Sequence, residues 1–159
     1  MSEENPPRPL ANLIDEAHEG RLLVRMDPEQ FVRVDRDCEF FKNAIRDIQQ
    51  KMIEIAQQDE WGLGEKYTND EGKELVSGKT MVHRYRTKAQ GTQNGVYEVL
   101  ESHFQVVEDF QNVFREIRTR YSEQDDGWAA RYQNLEQTMP PEPPAPPKYF
   151  MRFTSTGGA

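Results

Sequence analysis

This chain contains a long run of apolar residues that are spaced by alternating steps of four and three. The run consists of Val34, Cys38, Phe41, Ile45, Ile48, Met52 and Ile55. This spacing places them on one stripe of an α-helix and is typical of a helix that pairs with another along its length. Asp27 is suited to cap such a helix and Pro28 to begin it, so we predict helix one over about residues 27–60.

A second stripe with the same spacing predicts a longer helix two, over about residues 70–126. Gly78, Gly91 and Gly95 fall within it, although each glycine costs about 1 kcal/mol relative to alanine inside a helix. Either another helix approaches closely at these glycines or the helix is broken near Gly91. We expect a continuous helix.

Residues 61–64 separate the two stripes and predict a tight elbow. Their sequence is Trp61, Gly62, Leu63 and Gly64. Glycine readily adopts the left-handed backbone conformation that ends a helix, and the tryptophan can cover the turn. The chain is therefore predicted to reverse direction here.

Together these elements predict an all-α fold, a long, coiled-coil-like antiparallel two-helix hairpin. The stripe on helix two is wider than a single seam requires, so the hairpin needs a further partner surface. We expect dimerisation to complete a four-helix bundle. The predicted hairpin and dimer interface consists of Phe41, Ile45, Ile48, Met52, Ile55, Phe104, Val107, Phe110, Phe114 and Ile117.

Three segments flank or extend the hairpin, which with its last helix covers residues 27–138. In the N-terminal segment, residues 1–26, the spacing of Leu10, Leu13, Ile14 and Ala17 predicts a short helix. A further short helix, or a continuation of helix two, is predicted over 128–138. Residues 139–159 form a proline-rich tail that we expect to be flexible, with a polyproline II spacer before an aromatic and basic stretch at 148–153.

Charge and composition argue against nucleic acid and membrane partners. The chain has 28 acidic and 20 basic residues and a net charge of -8, which repels phosphate. Its one basic cluster is Lys79, His83, Arg84, Arg86 and Lys88, and we expect Asp47 and Glu54 of helix one to neutralise it. No apolar run approaches the roughly 18 residues that span a bilayer, and residues 1–9 lack the pattern of an ordinary secretory signal.

No pattern in the sequence indicates catalysis. Cys38 is the only cysteine, and His18, His83 and His103 lie far apart. A nucleophile beside a base, paired carboxylates in a pocket and a phosphate-binding glycine loop are all unrecognisable here. We therefore predict a protein that is not an enzyme and has no catalytic residue, metal or cofactor.

The Trp61-Gly62 elbow between two long helices resembles the WXG-type proteins of type VII (ESX) secretion systems. The resemblance covers about residues 27–126, and the longer chain is similar to a larger actinobacterial relative. The elbow has Trp61-Gly62-Leu63-Gly64 where the family has tryptophan, any residue and glycine. The family's export signal is a tyrosine followed four residues later by an acid, after the second helix. Tyr121 with Asp125 is the first candidate for that signal, and Tyr132 with Glu136 the second.

The resemblance implies a type VII substrate or secretion partner. Such a protein is made in the cytoplasm, pairs with a similar helical hairpin as a homo- or heterodimer, engages the secretion ATPase and reaches the medium or cell surface. Two alternatives stay open. One is a cytoplasmic coiled-coil adaptor whose proline-rich tail presents a docking peptide, and the other is a chaperone for a secreted toxin.

Overall fold

The computed structural model describes residues 8–22, 24–70, 72–73 and 76–141, and this part of the chain contains five α-helices and no β-strand. The all-α fold class is confirmed. The predicted proline-rich tail lies outside the described residues from 142 onward. The helices are α1 (Ala11–His18), α2 (Pro28–Gln57), α3 (Val76–Ala89), α4 (Val96–Gln124) and α5 (Asp126–Thr138).

A reciprocal cap fixes the start of α2. The Asp27 carboxylate accepts the backbone N–H of Gln30, while the Gln30 side chain accepts the backbone N–H of Asp27, both at 3.0 Å. Pro28 occupies the first turn, where its missing N–H costs no hydrogen bond. Beyond Gln57, Gly62 and Gly64 adopt positive φ values of 69° and 80°, so the backbone leaves the helical path in the segment expected to form the elbow.

The expectation of one continuous second helix is wrong. α3 ends at Ala89 and α4 begins at Val96, with Gly91 between them at φ 98°. The Glu98 carboxylate accepts the Gly91 N–H at 2.6 Å, which supplies a partner for a backbone group that the break would leave exposed. The two long helices, α2 and α4, are therefore joined by residues 58–95, which include α3, and not by a tight elbow alone.

α2 and α4 lie antiparallel. The Gln111 side chain donates to Asp35 near one end of the pair, and the Gln49 side chain donates to the Tyr97 carbonyl toward the other, each at 3.1 Å. The helices thus run in opposite directions with their side chains interleaved.

α1 and α5 cover the same end of this pair. α1 runs parallel to α4, since Leu10 lies against Asp109 and His18 against Glu116. α5 folds back along α4, and its Trp128 ring stacks on Tyr121 with centroids 5.3 Å apart. We call this region the covered end: α1, α5, the N-terminal part of α2 and the C-terminal part of α4.

The hydrophobic core lies in the covered end. Phe31 is 2% exposed, and its ring packs against the rings of Phe114, Tyr121 and Trp128, with centroids 5.6 to 6.1 Å apart. Such aromatic packing contributes both buried apolar area and favourable edge contacts. The buried residues of this cluster are Ala17, Phe31, Val32, Val113, Ile117 and Tyr132.

The opposite region, the open end, consists of α3 with the C-terminal part of α2 and the N-terminal part of α4. α3 packs on the elbow through Gly78, where an added Cβ would lie 2.5 Å from the Leu63 carbonyl oxygen and 2.8 Å from the Glu65 nitrogen. The element that approaches Gly78 is therefore the elbow backbone, not another helix.

Candidate functional site

One side of the α2–α4 pair is closed by a ladder of polar side chains. The Gln111 amide is 1% exposed and donates to both Asp35 and Glu39. Arg115 donates to Asp35 at 2.6 Å and lies 3.3 Å from the Glu39 carboxylate. Hydrogen bonds from Lys42 and Gln111 lower the pKa of Glu39. The cation and amide beside Glu39 thus favour the charged form of its carboxylate.

The ladder continues toward the open end. The Arg46 guanidinium bonds to Glu101 at 2.5 Å and lies 3.8 Å from the centre of the Phe104 ring. Gln49, 2% exposed, also donates to Glu101. Burial of Glu101 would raise the pKa of its carboxyl, but the hydrogen bonds from Gln49 and Arg46 outweigh that effect and lower it. Phe104, predicted at the dimer interface, is therefore covered by a side chain of its own molecule.

The other side of the same pair is apolar and open. A groove of about 270 Å³ runs between α2 and α4. Its largest side chains stay strongly exposed, with Phe41 at 50% and Phe110 at 43%. The two stripes extend it toward the open end through Ile48 and Val99, which are 45% and 42% exposed. We call this surface the open seam: Val34, Asp37, Cys38, Phe41, Ile48, Val99, Val106, Val107 and Phe110.

The exposed apolar side chains are concentrated at and beyond this seam. Apart from Leu13, all the strongly exposed large apolar side chains of the described residues fall between Phe40 and Phe110. Contiguous exposed apolar surface on a helical pair usually marks a place where another surface binds. The open seam is therefore the candidate functional site.

The predicted interface residues divide between this site and the core. Phe41, Ile48 and Phe110 are exposed on the open seam. Ile45, Met52, Ile55 and Val107 are partly buried along the pair. Phe114 packs within the covered end and Ile117 is 3% exposed there, so the structure assigns these two to the core of a single molecule.

Cys38 is the one thiol at the site. It is 5% exposed and lines the groove. Burial, together with the nearby Asp35 carboxylate, raises its pKa to about 11. At neutral pH the side chain is therefore a protonated, apolar part of the groove wall and a poor nucleophile.

Trp61 lies at the open end and is partly exposed. Its ring stacks on Tyr85 of α3 with centroids 5.7 Å apart, and its indole N–H donates to the Gln58 carbonyl at 3.0 Å. The Glu65 carboxylate accepts the backbone N–H groups of Trp61 and Leu63. All of these contacts fix the elbow. The backbone N–H bonds, that of Trp61 above all, also lower the pKa of Glu65.

The candidate export residues Tyr121 and Asp125 both have structural contacts. Tyr121 donates its hydroxyl to the Val24 carbonyl at 2.8 Å. The exposed Asp125 carboxylate accepts the Trp128 N–H at 3.0 Å and so caps α5.

The second pair, Tyr132 and Glu136, is also built into the covered end. Tyr132 is 5% exposed, and its hydroxyl accepts from Arg118 at 3.0 Å and lies 3.3 Å from the Glu136 carboxylate. Burial raises the pKa of Tyr132, although the neighbouring Arg118 opposes that shift. A binding protein could reach this ring only by moving α5.

The polar ladder is the part of the site that the sequence pattern did not reveal. Each of its α2 members comes one residue after a member of the apolar stripe, so the polar residues have the same alternating spacing of four and three. A helix pair that centres on the boundary between two such stripes leaves half of the apolar stripe exposed. The signal was therefore present as a second, polar repeat of the same period: Asp35, Glu39, Lys42, Arg46 and Gln49.

Within residues 8–141, apart from the few positions that are not described, no group of side chains is arranged to hold a metal ion. His18 lies 3.2 Å from Glu116 on the surface. None of the described helices is long and apolar enough to cross a membrane.

The comparisons with known proteins assign no family. No protein-family model, curated protein or solved structure matches this chain. The resemblance to WXG-type proteins therefore remains a prediction from Trp61, Gly62, Tyr121 and Asp125.

Proposed function

We propose that this protein is a non-enzymatic interaction protein whose open seam binds a second helical hairpin and so completes a four-helix bundle. The observation that carries the proposal is the exposure of Phe41, Ile48 and Phe110 beside an apolar groove. Protruding side chains beside a groove are self-complementary, so this surface can bind a partner that has the same surface. Burial of these side chains would supply the binding free energy.

A second copy of this chain is the partner that suits the seam best. Each molecule carries a net charge of -8, which opposes self-association over most of the surface. Along the open seam Asp37 is the only charged residue, with His103 in the same stripe. Two copies can therefore meet at this surface with little repulsion. A similar hairpin from a related chain would form the equivalent heterodimer.

The biological role we propose is that of a type VII secretion substrate or secretion partner. The proposal is supported by Trp61 and Gly62 after α2 and by Tyr121 and Asp125 at the end of α4. The partly exposed Trp61 lies within reach of a binding protein at the open end. In this proposal the bundle is exported as a unit. The secretion ATPase recognises the elbow and the turn at Asp125 between α4 and α5.

Export is tested by immunoblotting cell pellet and culture filtrate of the native host with and without the secretion ATPase. Signal in the filtrate that disappears without the ATPase supports the proposal. Signal confined to the pellet in both strains contradicts export and favours the cytoplasmic adaptor. Co-purification of a toxin encoded by a neighbouring gene with the cytoplasmic fraction of this protein would instead indicate a chaperone.

A further inference from the structure

The charge of the chain is distributed unevenly, and α3 carries the exception to its acidity. Between residues 76 and 97 there are four lysines and arginines and no aspartate or glutamate. The remainder of the chain is therefore more acidic than its total of -8. A local surplus of one charge creates a local potential that attracts groups of the opposite charge, even in a protein whose net charge has the other sign.

The packing of α3 sets its cations on the solvent side. Gly78, Val82 and Ala89 form its buried stripe. Arg86 lies at the edge of that stripe and donates to the Gln58 carbonyl at 2.6 Å, so it belongs to the fold. The exposed side of the helix carries Lys79, His83, Arg84 and Lys88, which we call the cationic face.

Two cations of this face, Arg84 and Lys88, have no ion pair with a described residue of α2. We expected Asp47 and Glu54 to supply the counter-charge, but Glu54 instead pairs with Lys51 at 3.0 Å. Among the described residues neither Arg84 nor Lys88 has a carboxylate within ion-pair distance. α3 contacts both α2 and the elbow backbone, and the break at Gly91 separates it from α4.

Apolar side chains lie among the cations. Val76 is 73% exposed, Tyr85 46% and Met81 39%. A surface that combines cations with exposed apolar groups is suited to a ligand that has both carboxylates and apolar side chains. We propose that the cationic face of α3 is a second binding surface, separate from the open seam, whose ligand is an acidic protein segment.

The same observations disfavour other polyanions. A nucleic acid strand extends beyond a helix of 14 residues and would meet the acidic remainder of the protein. Binding to an anionic membrane requires an apolar stripe that can insert, and the stripe of α3 formed by Gly78, Val82 and Ala89 is already buried within the protein. A short acidic segment can match the cationic face without extending past it.

The test uses the full-length protein and a fluorescein-labelled peptide in which pairs of glutamates alternate with leucine or phenylalanine. The variant Arg84→Gln with Lys88→Gln removes two cations of this face that have no carboxylate within ion-pair distance among the described residues. Its control, Arg25→Gln with Arg131→Gln, makes the same change in net charge at exposed sites outside α3. Neither variant alters the open seam, so the result is independent of the proposed dimer.

We expect fluorescence anisotropy to show peptide binding that weakens with added salt and falls about tenfold in the α3 variant but not in the control. A peptide with glutamine in place of glutamate should not bind. Absence of peptide binding, or equal loss in both variants, overturns the proposal. Tighter binding of single-stranded DNA or of phosphatidylserine vesicles also overturns it and assigns the cationic face to that class of partner.

Discussion

The two ends of the α2–α4 pair differ in what lies against them. At the covered end, α1 and α5 enclose the pair and aromatic rings fill the space between the helices. Toward the open end, α3 is the only other described helix that contacts the pair, and large apolar side chains remain exposed. The difference shows that a stripe of one period can form the core along one stretch and stay exposed along the next.

The largest expected difference is between removal of a buried ring of α2 and removal of an exposed one. Phe31→Ala should lower the free energy of unfolding by about 3–5 kcal/mol, because it deletes a side chain that is 2% exposed among three aromatic rings. Phe40→Ala, at a ring that is 46% exposed, should cost less than about 1 kcal/mol. Urea denaturation followed by circular dichroism measures both. Equal losses would mean that the covered end is not the core.

A smaller effect is expected where α3 meets the elbow. Gly78→Ala places a methyl group within 2.5 Å of the Leu63 carbonyl oxygen and should cost about 1–3 kcal/mol of local stability. Ser77→Ala, at the exposed neighbouring position, is the control and should change little. Hydrogen exchange measured by mass spectrometry should show faster exchange in α3 and no change in α5. Unchanged exchange in α3 would contradict the close approach.

Asp125 allows capping and export to be separated. Asp125→Ala removes the acceptor for the Trp128 N–H and should cost about 1 kcal/mol. Asp125→Asn keeps an acceptor oxygen and should have nearly the stability of the parent. Thermal unfolding checks this pair of variants.

The same two variants test the export proposal. If recognition needs the negative charge, Asp125→Asn should lose export in the immunoblot although it remains stable. Normal export of Asp125→Asn with loss only in Asp125→Ala would leave Asp125 a purely structural role.

The smallest expected effect is on the loss of stability with acid, to which the carboxylates of the polar ladder contribute. The folded-state pKa values of Glu39 and Glu101 lie below the ordinary value of 4.5. Their contribution to stability is therefore complete above pH 4.5 and is lost as the pH falls below it through the folded-state values.

Urea midpoints measured at a series of acidic pH values test this sign. The variant Glu39→Gln with Glu101→Gln should show a shallower loss of stability with acid than the parent. Glu123→Gln, at an exposed residue of α4, is the control and should follow the parent curve. Identical curves for all three proteins would mean that the ladder carboxylates are not stabilised by their partners.

The sequence predicts the helices better than their arrangement. Asp27, Gln30 and Pro28 mark the start of α2 because a helix cap is a local interaction. The break at Gly91 escapes the pattern because α4 restarts in the same register, so the stripe continues across it. The position of α3 is equally inaccessible, since Gly78 packs on a backbone segment and not on a helix stripe.

The candidate site follows from the sequence only in part. Phe41, Ile48 and Phe110 were predicted at an interface and lie exposed on the open seam. Ile117 has the same helical spacing but is buried, because α1 and α5 cover that end of α4. Spacing along a helix identifies an apolar stripe, whereas the neighbours that bury it are set by tertiary packing.

Sedimentation velocity across a range of micromolar concentrations tests whether the open seam joins two copies of the chain. The variants are Phe110→Asp, which places a charge in the open seam, and Phe40→Asp, which places one on an equally exposed ring outside the groove. We predict that the parent and Phe40→Asp are dimers and that Phe110→Asp is a monomer of unchanged helicity. A monomeric parent protein, or a dimer that withstands Phe110→Asp, would contradict the claim that the open seam binds a second copy.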